Sequence, residues 1–156
     1  MGWMGIASSP RGVRKIILPQ NSKEEVLSLV NSCRCLIKDY DPASSGDLPQ
    51  RLKRYLAGEP IDFPDRLDLD GTTHFQQRVW RITQTISYGE TKSYGWVASK
   101  AGVPGAARAI GQALTRNPLP IVIPCHRVIC NDCTLGGFRE GVETKRNLLH
   151  LENVII

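Results

Sequence analysis

The chain has 156 residues, of which 41% are hydrophobic and 22% charged, a globular balance that excludes a disordered or fibrous protein. It is long enough for one compact unit or two small lobes with an adequate core. No window nears the roughly 18 apolar residues of a membrane span, and the opening MGWMGIASSPRG lacks the basic-then-apolar pattern of a signal peptide. The net charge of +5 is uneven: residues 1–70 hold ten Lys/Arg and ten Asp/Glu, residues 71–156 ten and five. The surplus belongs to the second half, where a polyanion partner and a merely solvated basic face fit about equally.

In chain order, Gly2–Ile6 and Val13–Leu18 are expected as two strands joined by Ser8-Ser9-Pro10-Arg11-Gly12, a hairpin. Ser22 and Glu25 match a capping box ahead of a helix carrying Val26, Leu27, Leu29 and Val30. Cys35-Leu36-Ile37 is a candidate third strand. Leu48, Leu52, Tyr55 and Leu56 lie at helical spacing, stopped by Gly58-Glu59-Pro60. Residues 57–71, rich in Pro, Asp and Gly, are expected as a linker. Thr73 and Gln76 form a second capping box, with Phe75, Val79, Ile82 and Ile86 as one apolar helix face. A helix over 93–100, a break at Gly102-Val103-Pro104-Gly105 and a helix from about Ala106 to Thr115 read as helix-turn-helix. Residues 117–124 are extended, Gly136-Gly137 marks a loop, and Glu143–Leu151 closes the chain as a helix.

Three constellations could carry chemistry. In Pro124-Cys125-His126-Arg127, an imidazole beside a thiol favours the nucleophilic thiolate. Neighbours on a regular strand point apart, so contact needs a turn or a bridging water. Taken alone, the tetrapeptide also fits a buried Cys beside a surface His. The helix from Ala106, with Ala107, Ala109, Gly111 and Ala113 and Arg108 as its long cation, fits either close approach to DNA or core packing. Five cysteines, Cys33, Cys35, Cys125, Cys130 and Cys133, without a secretory signal are expected reduced, in a cytoplasmic protein. Cys33-x-Cys35 with Cys130-x-x-Cys133 could supply four zinc thiolates, but the first spacing is too short and the pairs fall in different lobes. His74 and His150 read as solvated helix-end residues. The glycines do not follow a phosphate-loop pattern.

The second lobe carries an ordered string: Phe75-Gln76-x-x-Val79-Trp80, Tyr88-Gly89-Glu90-Thr91, Ser93-Tyr94, Ala106-Ala107-Arg108-Ala109-Ile110-Gly111, Asn117-Pro118, Ile123-Pro124-Cys125-His126-Arg127-Val128-Ile129, Gly136-Gly137-Phe138 and Lys145-x-x-Leu148-Leu149-x-x-Glu152. Over residues 71–152 it resembles the O(6)-alkylguanine-DNA alkyltransferases. The first lobe is similar more loosely, through Gly2-x-x-Gly5, Ser9-Pro10-x-Gly12 and Leu18-Pro19.

The resemblance implies an α+β protein. Residues 1–70 would form a ribonuclease-H-like αβ lobe with a linker from about 57, and residues 71–156 a mainly helical DNA-binding and alkyl-acceptor domain. It implies single-use transfer of an alkyl group from O(6)-alkylguanine, with O(4)-alkylthymine as a second substrate, to Cys125. His126 would take the thiol proton through a water, Glu152 would orient His126, and Asn117 would brace the active-site turn. Tyr94 would bond guanine N3 and help to rotate the nucleotide outward. Arg108 would fill the stack it leaves, with Ala106, Ala107, Gly111, Tyr94 and Ser93 on the minor groove. Val128, Leu135, Gly136, Gly137, Phe138 and Arg139 would wall the alkyl pocket. The partner would be double-stranded DNA carrying alkylated guanine, met by a monomer without metal, organic cofactor or membrane. Three departures stand out: Phe138 where some members have Tyr, Arg139-Glu140 where some have small residues, and Cys133 at a turn position often held by Gly. The rival readings are an alkyl-lesion-binding module without transfer, against which Cys125, His126 and Glu152 argue, and a cysteine hydrolase, which would turn over.

Overall fold

The computed structural model describes residues 2–31 and 46–156, a mixed α/β chain whose contacts divide it into Met1–Asp70 and Gly71–Ile156. The first unit opens with an antiparallel hairpin, β1 (Trp3–Ser9) and β2 (Gly12–Gln20). The strands are longer than the sequence pattern predicts: Ser9 pairs with Gly12, leaving Pro10-Arg11 as the loop. Helix α1 (Lys23–Asn31) lays Val26 and Val30 against Ile17. The Ser22 hydroxyl caps Glu25 N–H at 3.2 Å, but the Glu25 carboxylate accepts from Asn21 N–H rather than from Ser22. The candidate strand at Cys35-Leu36-Ile37 lies outside the described residues.

Helix α2 (Leu48–Leu56) buries Leu48, Leu52 and Tyr55. The stretch expected as a linker instead straps this unit. Leu67 bridges Val13, the buried Asp68 accepts from Ser9 and Arg14, Asp65 takes both guanidinium arms of Arg51 at 2.7 Å, and Phe63 packs edge-on to Tyr55. Its Asp residues read as solvated loop in the sequence because their partners lie 14 to 59 positions away.

The second unit begins with α3 (His74–Gln84), whose Thr73–Gln76 capping box is complete. Its buried face is Gln76, Val79, Trp80 and Thr83, with Phe75 and Ile82 only half-buried. This rotation from the predicted stripe follows from polar satisfaction: Trp80 Nε1 donates to the Ala113 carbonyl at 2.9 Å and Thr83 Oγ1 to Val79 at 2.9 Å, so both can be buried without orphaned donors. A short strand β3 (Lys92–Ser93) leads into α4 (Tyr94–Lys100), capped by Ser93 Oγ accepting from Trp96 N–H. Helix α5 (Ala107–Thr115) follows. After a 3-10 turn at Cys125–Arg127, β4 (Val128–Ile129) pairs in parallel with β3, an element the sequence pattern does not signal. Helix α6 (Val142–Leu151) buries Lys145, Leu148 and Leu149. No helix among the described residues is long and apolar enough to cross a membrane.

Candidate active site

Between α5 and β4 the chain NPLPIVIP must turn sharply while buried. Ile121 does so at φ 75°, a strained setting for a β-branched residue. The buried Asn117 holds the turn. Its Oδ1 accepts from Leu119 N–H at 2.9 Å, and its Nδ2 donates to the Ile123 carbonyl at 2.9 Å and to Cys125 Sγ at 3.1 Å. The same side chain therefore fixes the backbone and touches the thiol. Cys125 is 5% exposed. Burial pushes its thiol up to about 11, a rise opposed by the Asn117 hydrogen bond, so the resting group is a neutral thiol.

Cys125–Arg127 form a 3-10 turn, which removes the strand alternation that would send Cys125 and His126 to opposite faces. His126, fully buried, places Nε2 2.8 Å from Glu152 Oε1. Against the carboxylate Nε2 carries the proton, which leaves the lone pair on Nδ1. Burial holds the imidazole below its usual pKa, with Glu152 working in the opposite direction, which favours the neutral ring at pH 7.

Glu152, 2% exposed at the end of α6, is the hub. Arg127 Nε donates to both its oxygens at 2.9 and 3.2 Å, Arg127 Nη2 to Oε1 at 2.8 Å, and Gly89 N–H to Oε2 at 3.0 Å. Arg127 Nη1 donates to the Ile86 carbonyl at 2.6 Å. A buried carboxylate needs such compensation, so the ion pair is what permits a charged group behind His126. Sequence reading missed Arg127 and Gly89 as parts of this clamp; the run His126-Arg127 followed by a buried-helix Glu was the available signal.

It also missed Lys145. This fully buried ammonium donates to the carbonyls of Val128 (2.6 Å) and Leu135 (2.5 Å) and lies 3.5 Å from Tyr94 Oη. Burial lowers it to about 8, while Cys125 and Cys130 favour its charge. Val128 and Leu135, expected as pocket walls, are buried, and their carbonyls accept from Lys145. Tyr94, half-buried, donates to the Gly137 carbonyl at 3.5 Å, and desolvation pushes its phenol to about 12.

Tyr94, Gly111, Asn117, Cys125, Gly137, Phe138, Arg139 and Glu140 surround a cavity of about 10 Å³, room for about one water. Arg139 lies on its rim, ion-paired with Glu140. Beside it an open cleft of about 710 Å³ is walled by Tyr94, Ala107, Arg108, Gly111, Arg116, Cys130 and Gly136, among others. Arg108 and Ala107 are exposed on it, Ala106 caps α5 without a side-chain bond, and Ser93 serves as the α4 cap. Cys33 and Cys35 lie outside the described residues; among the described residues no group of three His, Cys, Asp or Glu side chains gathers as a metal site.

Residues 74–154 match the family described as 6-O-methylguanine DNA methyltransferase, DNA binding domain. The chain is 45% identical over 134 residues to a methylated-DNA–protein-cysteine methyltransferase of Mycobacterium leprae, covering 80% of this chain and 81% of that protein. It is 34% identical over 153 residues to one of Sulfolobus acidocaldarius, covering 97% and 94%. The structure of Mycobacterium tuberculosis OGT in complex with DNA superposes with TM-score 0.78 at 40% identity, over 96% of this chain and 85% of that one. The O6-methylguanine-DNA methyltransferase of Pyrococcus kodakaraensis gives TM-score 0.78 at 28% identity, over 97% and 92%. With its Cys125–His126–Glu152 arrangement, this chain belongs to the methylated-DNA–protein-cysteine methyltransferase family.

Proposed function

We propose that this protein repairs O(6)-alkylguanine in DNA by moving the alkyl group irreversibly onto Cys125. The observation that carries the reading is a buried thiol, held by an amide, followed in the chain by a buried imidazole whose Nε2 is committed to a buried carboxylate. His126 Nδ1 takes the Cys125 proton through a water. The thiolate attacks the alkyl carbon, the carbon–oxygen bond breaks, and its electron pair passes to guanine. Hydrogen bonds at the ring, with Tyr94 the donor toward N3, stabilise the leaving anion. The thioether offers water no carbonyl and no good leaving group, so each molecule acts once.

The buried alkyl carbon of a stacked base cannot reach Cys125, so the nucleotide must leave the duplex. We read α4 and α5 as a helix-turn-helix, with the small residues Ala106, Ala107 and Gly111 and the exposed Arg108 on the minor groove. The first unit is read as the ribonuclease-H-like lobe, a reading supported by its hairpin. The one-water cavity at Cys125 must open as the base enters. The thiol raised to about 11 suits a nucleophile activated only once water is arranged by a bound base.

The test is intact mass after incubation with duplex DNA carrying O(6)-methylguanine. A gain of one methyl group, absent in Cys125→Ser, is expected. No gain, or a gain that survives the substitution, would overturn the reading.

A further inference from the structure

The segment Cys130-Asn131-Asp132-Cys133 takes no part in the transfer chemistry, yet its geometry is specific. Cys133 N–H donates to the Cys130 carbonyl at 3.1 Å, and Cys130 N–H to the Thr134 carbonyl at 2.9 Å. This is the three-residue hairpin loop, whose last position is left-handed and normally glycine. Cys133 stands there at φ 65°, exposed. The ends of such a turn lie within about 7 Å, Cα to Cα, a separation overlapping the roughly 4.4–6.8 Å that disulfides span. Cys130, half-buried, lines the open cleft. A β-carbon on Gly136 would lie 3.1 Å from Cys130 Sγ and 3.0 Å from Tyr94 Oη, so the sulfur and the phenol flank the same glycine.

We propose that Cys130 and Cys133 form a reversible dithiol–disulfide pair that gates the cleft, oxidised by low-molecular-weight disulfides. The Cys133 thiolate attacks one sulfur of the oxidant, whose other half leaves as a thiolate and takes up a proton. The Cys130 thiolate then attacks the Cys133 sulfur and expels the second half. Two cysteines are oxidised and one small disulfide is reduced to two thiols. To reach Cys133, the Cys130 sulfur must swing off the wall it shares with Tyr94 and Gly136, which loosens the loop that Gly136-Gly137 contributes to both the cleft and the Cys125 cavity. Cys125 is spared because it is buried and a poor thiolate.

The experiment equilibrates the full chain with oxidised glutathione, blocks free thiols and digests it with trypsin without reductant. Peptide 128–139 holds Cys130 and Cys133 alone, and peptide 117–127 holds Cys125 alone. The expected result is peptide 128–139 lighter by two hydrogens, with Cys125 still a free thiol that the reagent blocks once the chain is unfolded in urea. Methyl transfer from DNA should then be slowed roughly tenfold or more, as a displaced site wall implies, and restored by dithiothreitol. Cys133→Gly should transfer at the wild-type rate and lose the sensitivity. Peptide 128–139 remaining a dithiol while Cys125 is glutathionylated, or the disulfide forming without a change in rate, would overturn the proposal. The rate arm rests on the repair reading; a reduced protein that takes no methyl defeats that reading, while the peptide map still decides whether the pair exists.

Discussion

Replacing Glu152 with Gln tests the clamp behind His126 while keeping its shape. The carboxylate now accepts from His126 Nε2, Arg127 Nε, Arg127 Nη2 and Gly89 N–H. An amide has one acceptor oxygen and one donor nitrogen. Oε1 serves both His126 Nε2 and Arg127 Nη2, and Oε2 serves Arg127 Nε and Gly89 N–H, so an amide nitrogen in either place meets an Arg127 donor. Facing His126, it also forces Nε2 to accept and moves the ring proton to Nδ1; facing Gly89, it keeps the tautomer but leaves two donors unpaired. In both orientations the negative charge behind the imidazole is gone. Replacing the carboxylate of a Ser-His-Asp triad by an amide costs about 10⁴ in rate, so single-turnover methyl transfer at pH 7.5 should fall about 10³- to 10⁴-fold. Arg127 loses charge assistance on about two bonds, which destabilises the fold by about 2–3 kcal/mol, measurable by urea denaturation. A folded Glu152→Gln protein transferring within about threefold of wild type would refute the need for a carboxylate behind His126.

Four other outcomes are expected. Transfer should slow as pH falls below His126's ordinary 6.5, because burial holds its protonation beneath that value and only the neutral ring can take the proton; a pH–rate profile with its acid limb above 6.5 would contradict this. The Cys125 thiol is raised to about 11, so the stability it contributes is full below the ordinary 9 and is lost between there and about 11. Cys125→Ser should flatten that loss by up to about 3 kcal/mol in alkaline denaturation, against the opposite trend from Lys145, whose lowered pKa makes its deprotonation stabilising. Arg108→Ala should slow repair of duplex DNA about tenfold or more, given a few kcal/mol for unstacking, while sparing free alkylguanine; equal losses would reject its role in the stack. Cys133→Gly should stabilise the protein by about 1 kcal/mol by relieving a left-handed cysteine, readable in the urea midpoint.

Much of the first-order plan was legible because it is written in local signals. The Thr73–Gln76 capping box, the hairpin around Pro10-Arg11 and the two helices flanking Gly102–Gly105 each depend on residues within a few positions. Long-range polar pairing was not legible. Asp68 joins Ser9 and Arg14, and the carbonyls of Val128 and Leu135 accept from Lys145, so an aperiodic Pro- and Asp-rich stretch straps its unit and a lysine of the final helix is buried. The site shows the same divide. Cys125 and His126 are adjacent in sequence, and the ordered string pointed to both. What holds them in place comes from afar: Asn117 across a strained turn, Glu152 from the far end of α6, and Arg127 and Gly89 to let that carboxylate stay charged. Because burying a lone carboxylate costs several kcal/mol, Glu152 can act on His126 only where Arg127 is also buried. The clamp is therefore one unit, in which Arg127 holds Glu152 and Glu152 holds His126. Substitution of Arg127 by a neutral residue should silence transfer through Glu152 alone.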